Sequence, residues 1–167
     1  MRKYLILSII ILVMLSGCGI GDFNSFVVPN DTEFRTIMNN LSTPKKTCSY
    51  MADNFTFKFH PVYAPDPYEL WENREGDCND FAWFVIFMAH YHGYEVYRIK
   101  IKESFFKYHS LGVFVEDGFY TSSSNMSYYP WSCETFREIV NIHRNDWISY
   151  QVYDYENNLI EEVKNGR

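Results

Sequence analysis

The stretch DCNDFAWFVIFMAHYHG, residues 77–93, restricts what this chain can fold into more than any other. From Phe81 to Ala89 it is apolar on every face of a helix, so a helix here has to be enclosed rather than laid on a surface. Asp77 is a natural N-cap, Asp80 stands three residues on as in a capping box, and Gly93 is a C-terminal stop. Cys78 is the first full residue of this helix. A cysteine kept for packing belongs inside the apolar run; one at its start is placed for access.

The pattern on either side gives the fold class. Asp31 caps a short helix over TEFRTIM, LSTPKKTCSYMADNF is a second, Ser/Thr-Pro-initiated helix, TFKFHPVYAPDP is an extended or looping connection, and DPYELWENRE is a short helix that delivers the chain to Gly76. After Gly93 the period changes to two. YEVYRIKI is a strand, HSLGVFVE and FYTSSSN form a hairpin, SCETFREIVNIHR is a helix with Ser132 as its cap, and WISYQVYDYENNLIEEV closes with a second hairpin. Helices first and strands after is an α+β layout, with a buried Cys-bearing helix packed on an antiparallel sheet.

The N-terminus says where such a domain would work. MRKYLILSIIILVMLSG carries two cations and then an apolar run, a secretory signal over residues 1–17. Its end, Leu15-Ser16-Gly17-Cys18, resembles a bacterial lipobox, so Cys18 is expected to become a lipid-modified N-terminus anchoring the protein to a membrane outside the cytoplasm. Residues 18–30 then form a tether and 31–167 a single domain. Two of the 15 cations lie in the leader, leaving 13 against 21 acids and a net charge of −8 with histidine neutral. That balance disfavours nucleic acid as a partner. With Cys18 lipidated, Cys48, Cys78 and Cys133 remain, and one simple arrangement pairs Cys48 with Cys133.

A thiol at a helix start has a chemical use. The thiolate is the nucleophile, and unpaired N–H groups at the helix N-terminus lower its pKa and stabilise an oxyanion. A base must then be within reach. His90 and His92 sit at the far end of the Cys78 helix, roughly 18 Å or more from the thiol. They are two residues apart and diverge, which argues against zinc, so no metal or cofactor is expected. His60 lies in a Pro-rich connection and His143 ends a helix, whereas His109 opens a strand. The hairpin after it can close in two ways: a two-residue Asp117-Gly118 turn puts Ser110 across from Asn125, and a three-residue Glu116-Asp117-Gly118 loop puts His109 there. Only the second gives the imidazole a partner, Asn125, and it is the expected register.

GDCNDFAWFV, HGYEVYRIKI and HSLGVFVEDGFYTSSSN, taken in order, resemble the transglutaminase-like branch of the papain-like superfamily over roughly residues 66–126. The resemblance implies Cys78 as nucleophile, His109 as general base and acid, and the third residue as orienter of the imidazole. That family most often has an aspartate near the end of the second strand; here a serine run precedes Asn125, with Ser123 as its rival. The implied activity is acyl transfer from an amide or peptide bond through a Cys78 thioester, as a protease, amidase or transglutaminase. A peptide, a protein or a peptidoglycan stem is the expected substrate. A cell-wall endopeptidase of the other papain-like branch fits less well, because Asn79-Asp80 stand where that branch has a small Ser-Gly pair. A different class remains open: a lipid-anchored binding or exclusion protein on an inactive scaffold, which the acids flanking Cys78 favour.

Overall fold

The computed structural model describes residues 26–60 and 65–166. The signal segment, Cys18 and the tether up to residue 25 lie outside the described residues. Four helices come first: α1 (Thr32–Asn40), α2 (Pro44–Asn54), α3 (Pro67–Asn73) and α4 (Cys78–Tyr91). The caps read at Asp31 and Asp77 hold, with Asp31 Oδ1 accepting the Phe34 N–H at 2.8 Å and Asp77 Oδ1 that of Asn79 at 2.8 Å. Two-residue strands β1 (Thr56–Phe57) and β2 (Glu75–Gly76) pair in parallel and bring the chain to the start of α4.

The rest is one antiparallel sheet. Strands β3 (Val96–Lys102), β4 (Tyr108–Glu116), β5 (Phe119–Ser124), β6 (Ser127–Cys133), β7 (Ser149–Tyr153) and β8 (Leu159–Lys164) lie in the order β6-β5-β4-β3-β7-β8. Helix α5 (Phe136–His143) joins β6 to β7. The α+β expectation holds. So does the enclosed helix, since every residue from Asp80 to Ala89 is buried. Burying side chains such as Phe81 and Phe84 contributes about 1.5–3 kcal/mol each.

The core has two parts. Phe34, Met51, Leu70, Phe81 and Phe84 of the helical layer pack with Phe114, whereas Leu111 and Val113 pack with Ile139 and Val140 of α5. Alternate residues of β4 therefore belong to different cores, and the strand is covered on both faces. At Gly112 α4 packs close against β4: a Cβ there would lie 2.7 Å from Ser123 Oγ and 2.9 Å from Val85 Cγ1.

Four expectations are corrected. Ser127–Cys133 is a strand, β6, which the sequence conceals because Pro130 interrupts it; as the edge strand of the sheet it tolerates a residue with no N–H. The cap of α5 is Thr135, whose Oγ1 accepts the Glu138 N–H, not Ser132. Cys48 and Cys133 are both buried free thiols, one in each core. The β4–β5 turn is the two-residue form, with Asp117 at φ +53° and Gly118 at φ +82°, so Glu116 pairs with Phe119 and Leu111 with Ser124. Asp-Gly adopts this turn readily because its backbone follows the twist of the strands.

Candidate active site at the start of α4

Gly76 and Asp77 deliver the chain to Cys78. A Cβ on Gly76 would meet Leu70 Cδ1 at 2.7 Å and the Asp80 side chain at 3.0 Å, so only glycine lets β2 approach the helix start this closely. Asp77 and Asp80 form the full capping box, the Asp77 N–H donating to Asp80 Oδ2 at 2.7 Å. His60 Nε2 also lies 2.8 Å from that oxygen. Asn79 is tied to the sheet: Arg98 Nη1 donates to its Oδ1 at 3.0 Å and Ser110 Oγ to the same atom at 3.4 Å. The buried Arg98 guanidinium lies over the Trp83 and Tyr153 rings.

These ties set the thiol against β4. Burial raises the Cys78 pKa, and the charges of Asp77 and Asp80 raise it further; a hydrogen bond from the Ser110 backbone N–H and one from its own N–H act the other way. Ser110 follows His109 on β4, so the backbone N–H that acts on the sulfur belongs to the residue next to His109, whose own side chain projects from the other face of the strand. His109 is 6% exposed, and burial pulls its pKa down to about 4, with Arg144, His143 and Lys107 pushing in the same direction and Glu103 against. At neutral pH the resting pair is a neutral thiol and a neutral imidazole.

The third position differs from expectation. His109 Nε2 is hydrogen-bonded to Ser124 Oγ at 2.8 Å. Ser124 is the β4 partner of Leu111 and reaches His109 diagonally along one face of the sheet. Asn125 has instead left the strand at φ +50°, and its buried Oδ1 has no hydrogen-bond partner among the described residues. Ser123 points to the opposite face, towards Gly112, and its buried hydroxyl is also unpartnered. The register error moved the assignment by one residue. The strand that carries His109 was legible in the sequence.

The other candidates have structural roles. His92 Nε2 is 2.7 Å from the Met38 carbonyl, and His90 stacks on Tyr155. Around His109, no sequence signal points to Glu103, Ser122 and Arg144, and His143 reads only as a helix end. They come from β5, from the end of α5 and from the residues that follow β3 and α5, and no local motif links them.

No family model and no curated protein matches the chain. Among solved structures it is similar to LapG of Legionella pneumophila. At 17% identity and a TM-score of 0.50 it matches one LapG structure over 81% of this chain and 85% of that one. A calcium-bound LapG structure matches at 17% identity and a TM-score of 0.50 over 86% and 90% of the two chains, and an EGTA-treated one at 16% and 0.50 over 79% and 81%. The fold is transglutaminase-like. This is the α+β, papain-like arrangement that the sequence motifs imply.

The calcium in one of those structures calls for a test of the donors here. Among the described residues, one group brings three potential ligand atoms together: His60, Asp77 and Asp80, within 4.8 Å of one another. Calcium takes about six to eight oxygens. This set offers two carboxylates and an imidazole; both carboxylates already cap α4, and that of Asp80 also contacts His60. The described donors do not fit calcium, and no step is drawn through it.

Proposed function

We propose that the chain is a lipid-anchored, extracytoplasmic cysteine acyl-transfer enzyme acting on peptide or protein amides. The observation that carries this reading is the Cys78 thiol at the first turn of an enclosed helix whose start is tied to β4 through Asn79 and Ser110, the residue after His109. His109 Nε2 is held by Ser124, so in this reading Nδ1 is the nitrogen that accepts the thiol proton, once the ring turns to the thiol. In the proposed reaction His109 takes the thiol proton as sulfur attacks the carbonyl carbon, because neither group is ionised at rest. The N–H groups at the start of α4 face the oxyanion. Collapse breaks the C–N bond, the amine leaves with the proton from His109, and a thioester remains. Water, deprotonated by the same imidazole, then releases the acid; an amine in its place would give a crosslink.

The transglutaminase-like fold supports a peptide or protein substrate, and the lipobox-like sequence supports anchoring through Cys18. Incubation with glutamine-containing peptides, an unstructured protein and peptidoglycan stem peptides tests the chemistry, reading new N-termini, ammonia and incorporation of a fluorescent primary amine. Products from wild type and none from Cys78→Ala are expected; equal products from both would end the reading. Cys18→Ser should release the protein from membranes or block its processing.

A second reading has one specific observation behind it. The acids beside Cys78 and the serine in place of an aspartate leave a weakly activated thiol, as a binding protein on an inactive scaffold would have. A Cys78 that reacts with alkylating agents like ordinary cysteine, with no product from any substrate, would favour it.

A further inference from the structure

The sheet face that carries His109 ends in a charged cluster. Glu103 follows directly on β3, and it shares a face with Ile101, the register partner of His109. Glu103 and His109 are therefore diagonal neighbours on one face. The Glu103 side chain is 6% exposed, yet it holds two cations, Arg144 Nε at 2.5 Å and Lys107 Nζ at 2.5 Å. Arg144 follows α5, whose last residue, His143, is hydrogen-bonded to Ser122 Oγ of β5 at 2.9 Å. The end of α5 thus closes over the same face that Ser122, Ser124 and His109 share.

The Ser124 hydroxyl can orient the ring but carries no charge to meet the imidazolium that forms when His109 takes the thiol proton. A buried cation without a nearby acid is costly. We propose that Glu103, held between Arg144 and Lys107, is the positioning carboxylate of His109, supplying from the end of β3 the negative charge that Ser124 does not, while Arg144 sets how much of it the ring feels. The catalytic consequence rests on the thiol–imidazole reading; the coupling of Glu103 and Arg144 to the ring does not.

The groups facing the ring are Glu103, Lys107, His143 and Arg144, with Cys78 beyond Ser110. Glu103 favours the protonated ring, and Arg144, His143 and Lys107 oppose it. NMR titration of the histidines in the detergent-solubilised full chain tests the proposal directly. Arg144→Gln should raise the His109 titration by about one pH unit, and Glu103→Gln should lower it by a similar amount. A purely structural ion pair predicts something else: both variants would loosen the burial of the ring and lift it towards 6.5. Shifts of opposite sign support the proposal; shifts of the same sign, or none, overturn it. Should Glu103→Gln fail to fold, Arg144→Lys decides, since a rise in Arg144→Gln that lysine reverses supports the proposal and a rise in both overturns it. No substrate is needed, so the acyl-transfer reading can fail on Cys78→Ala while these shifts still stand or fall alone.

Discussion

The two faces of β4 are built in different ways. Towards α4 stand Ser110, Gly112 and Phe114, where close backbone approach decides what fits. Towards α5 stand His109, Leu111 and Val113, with apolar packing in the middle and polar side chains drawn from three other elements at the end. The nucleophile is thus prepared by local features of one helix start, and the imidazole by residues gathered from far along the chain. One face should respond to changes in shape and the other to changes in charge and hydrogen bonding.

The largest expected effect tests whether the two halves work together. Cys78→Ala and His109→Ala should each lower turnover by a factor on the order of 10³ or more, and the double variant should lose little beyond that. Multiplicative losses in the double variant would mean that the two faces act separately. On the α4 side, Gly112→Val should destabilise the fold by about 2–3 kcal/mol, because the side chain would meet Ser123 Oγ, Val85 Cγ1 and the Phe114 ring. Thermal melting checks this, and an unchanged midpoint would show that α4 is not pressed against β4.

On the α5 side, pH is the lever. The folded pKa values of His109 and His143 are depressed to about 4 from 6.5, so the unfolded chain binds more protons between those values. Stability is therefore full above pH 6.5 and falls as pH drops towards 4, by on the order of 2–3 kcal/mol for each histidine. A denaturant series from pH 7 to pH 4 measures it. The two-alanine variant at these positions should show a shallower slope, and an unchanged slope would mean that neither ring is buried neutral.

That division explains what could be read in advance. The helix caps, the enclosed α4, Cys78 and the strand bearing His109 were legible, because each depends on residues within a few positions of one another. The register of the β4–β5 hairpin turned on one residue of loop length, and the sequence argument chose the loop that gave His109 a partner. The structure has the Asp117–Gly118 turn instead, and Ser124 becomes the partner. Strand β6 was hidden by Pro130, and the Glu103–Arg144 pair, separated by 41 positions, has no local signature. The smallest predicted effect follows from the corrected register. Ser124→Ala should lower turnover by roughly tenfold through loss of ring orientation, and Asn125→Ala should leave turnover near wild type. The reverse order would restore Asn125 as the orienting residue.

The account stands on Cys78 being a nucleophile driven by His109 despite a resting thiol held neutral. Reaction of the protein with an activated p-nitrophenyl ester at neutral pH, followed by intact-mass spectrometry and nitrophenolate release, measures this directly. Cys78 should take up the acyl group and release it again on further incubation, with both steps strongly slowed in His109→Ala. Acylation of Cys78 no faster than that of free cysteine, or rates unchanged in His109→Ala, would contradict the account.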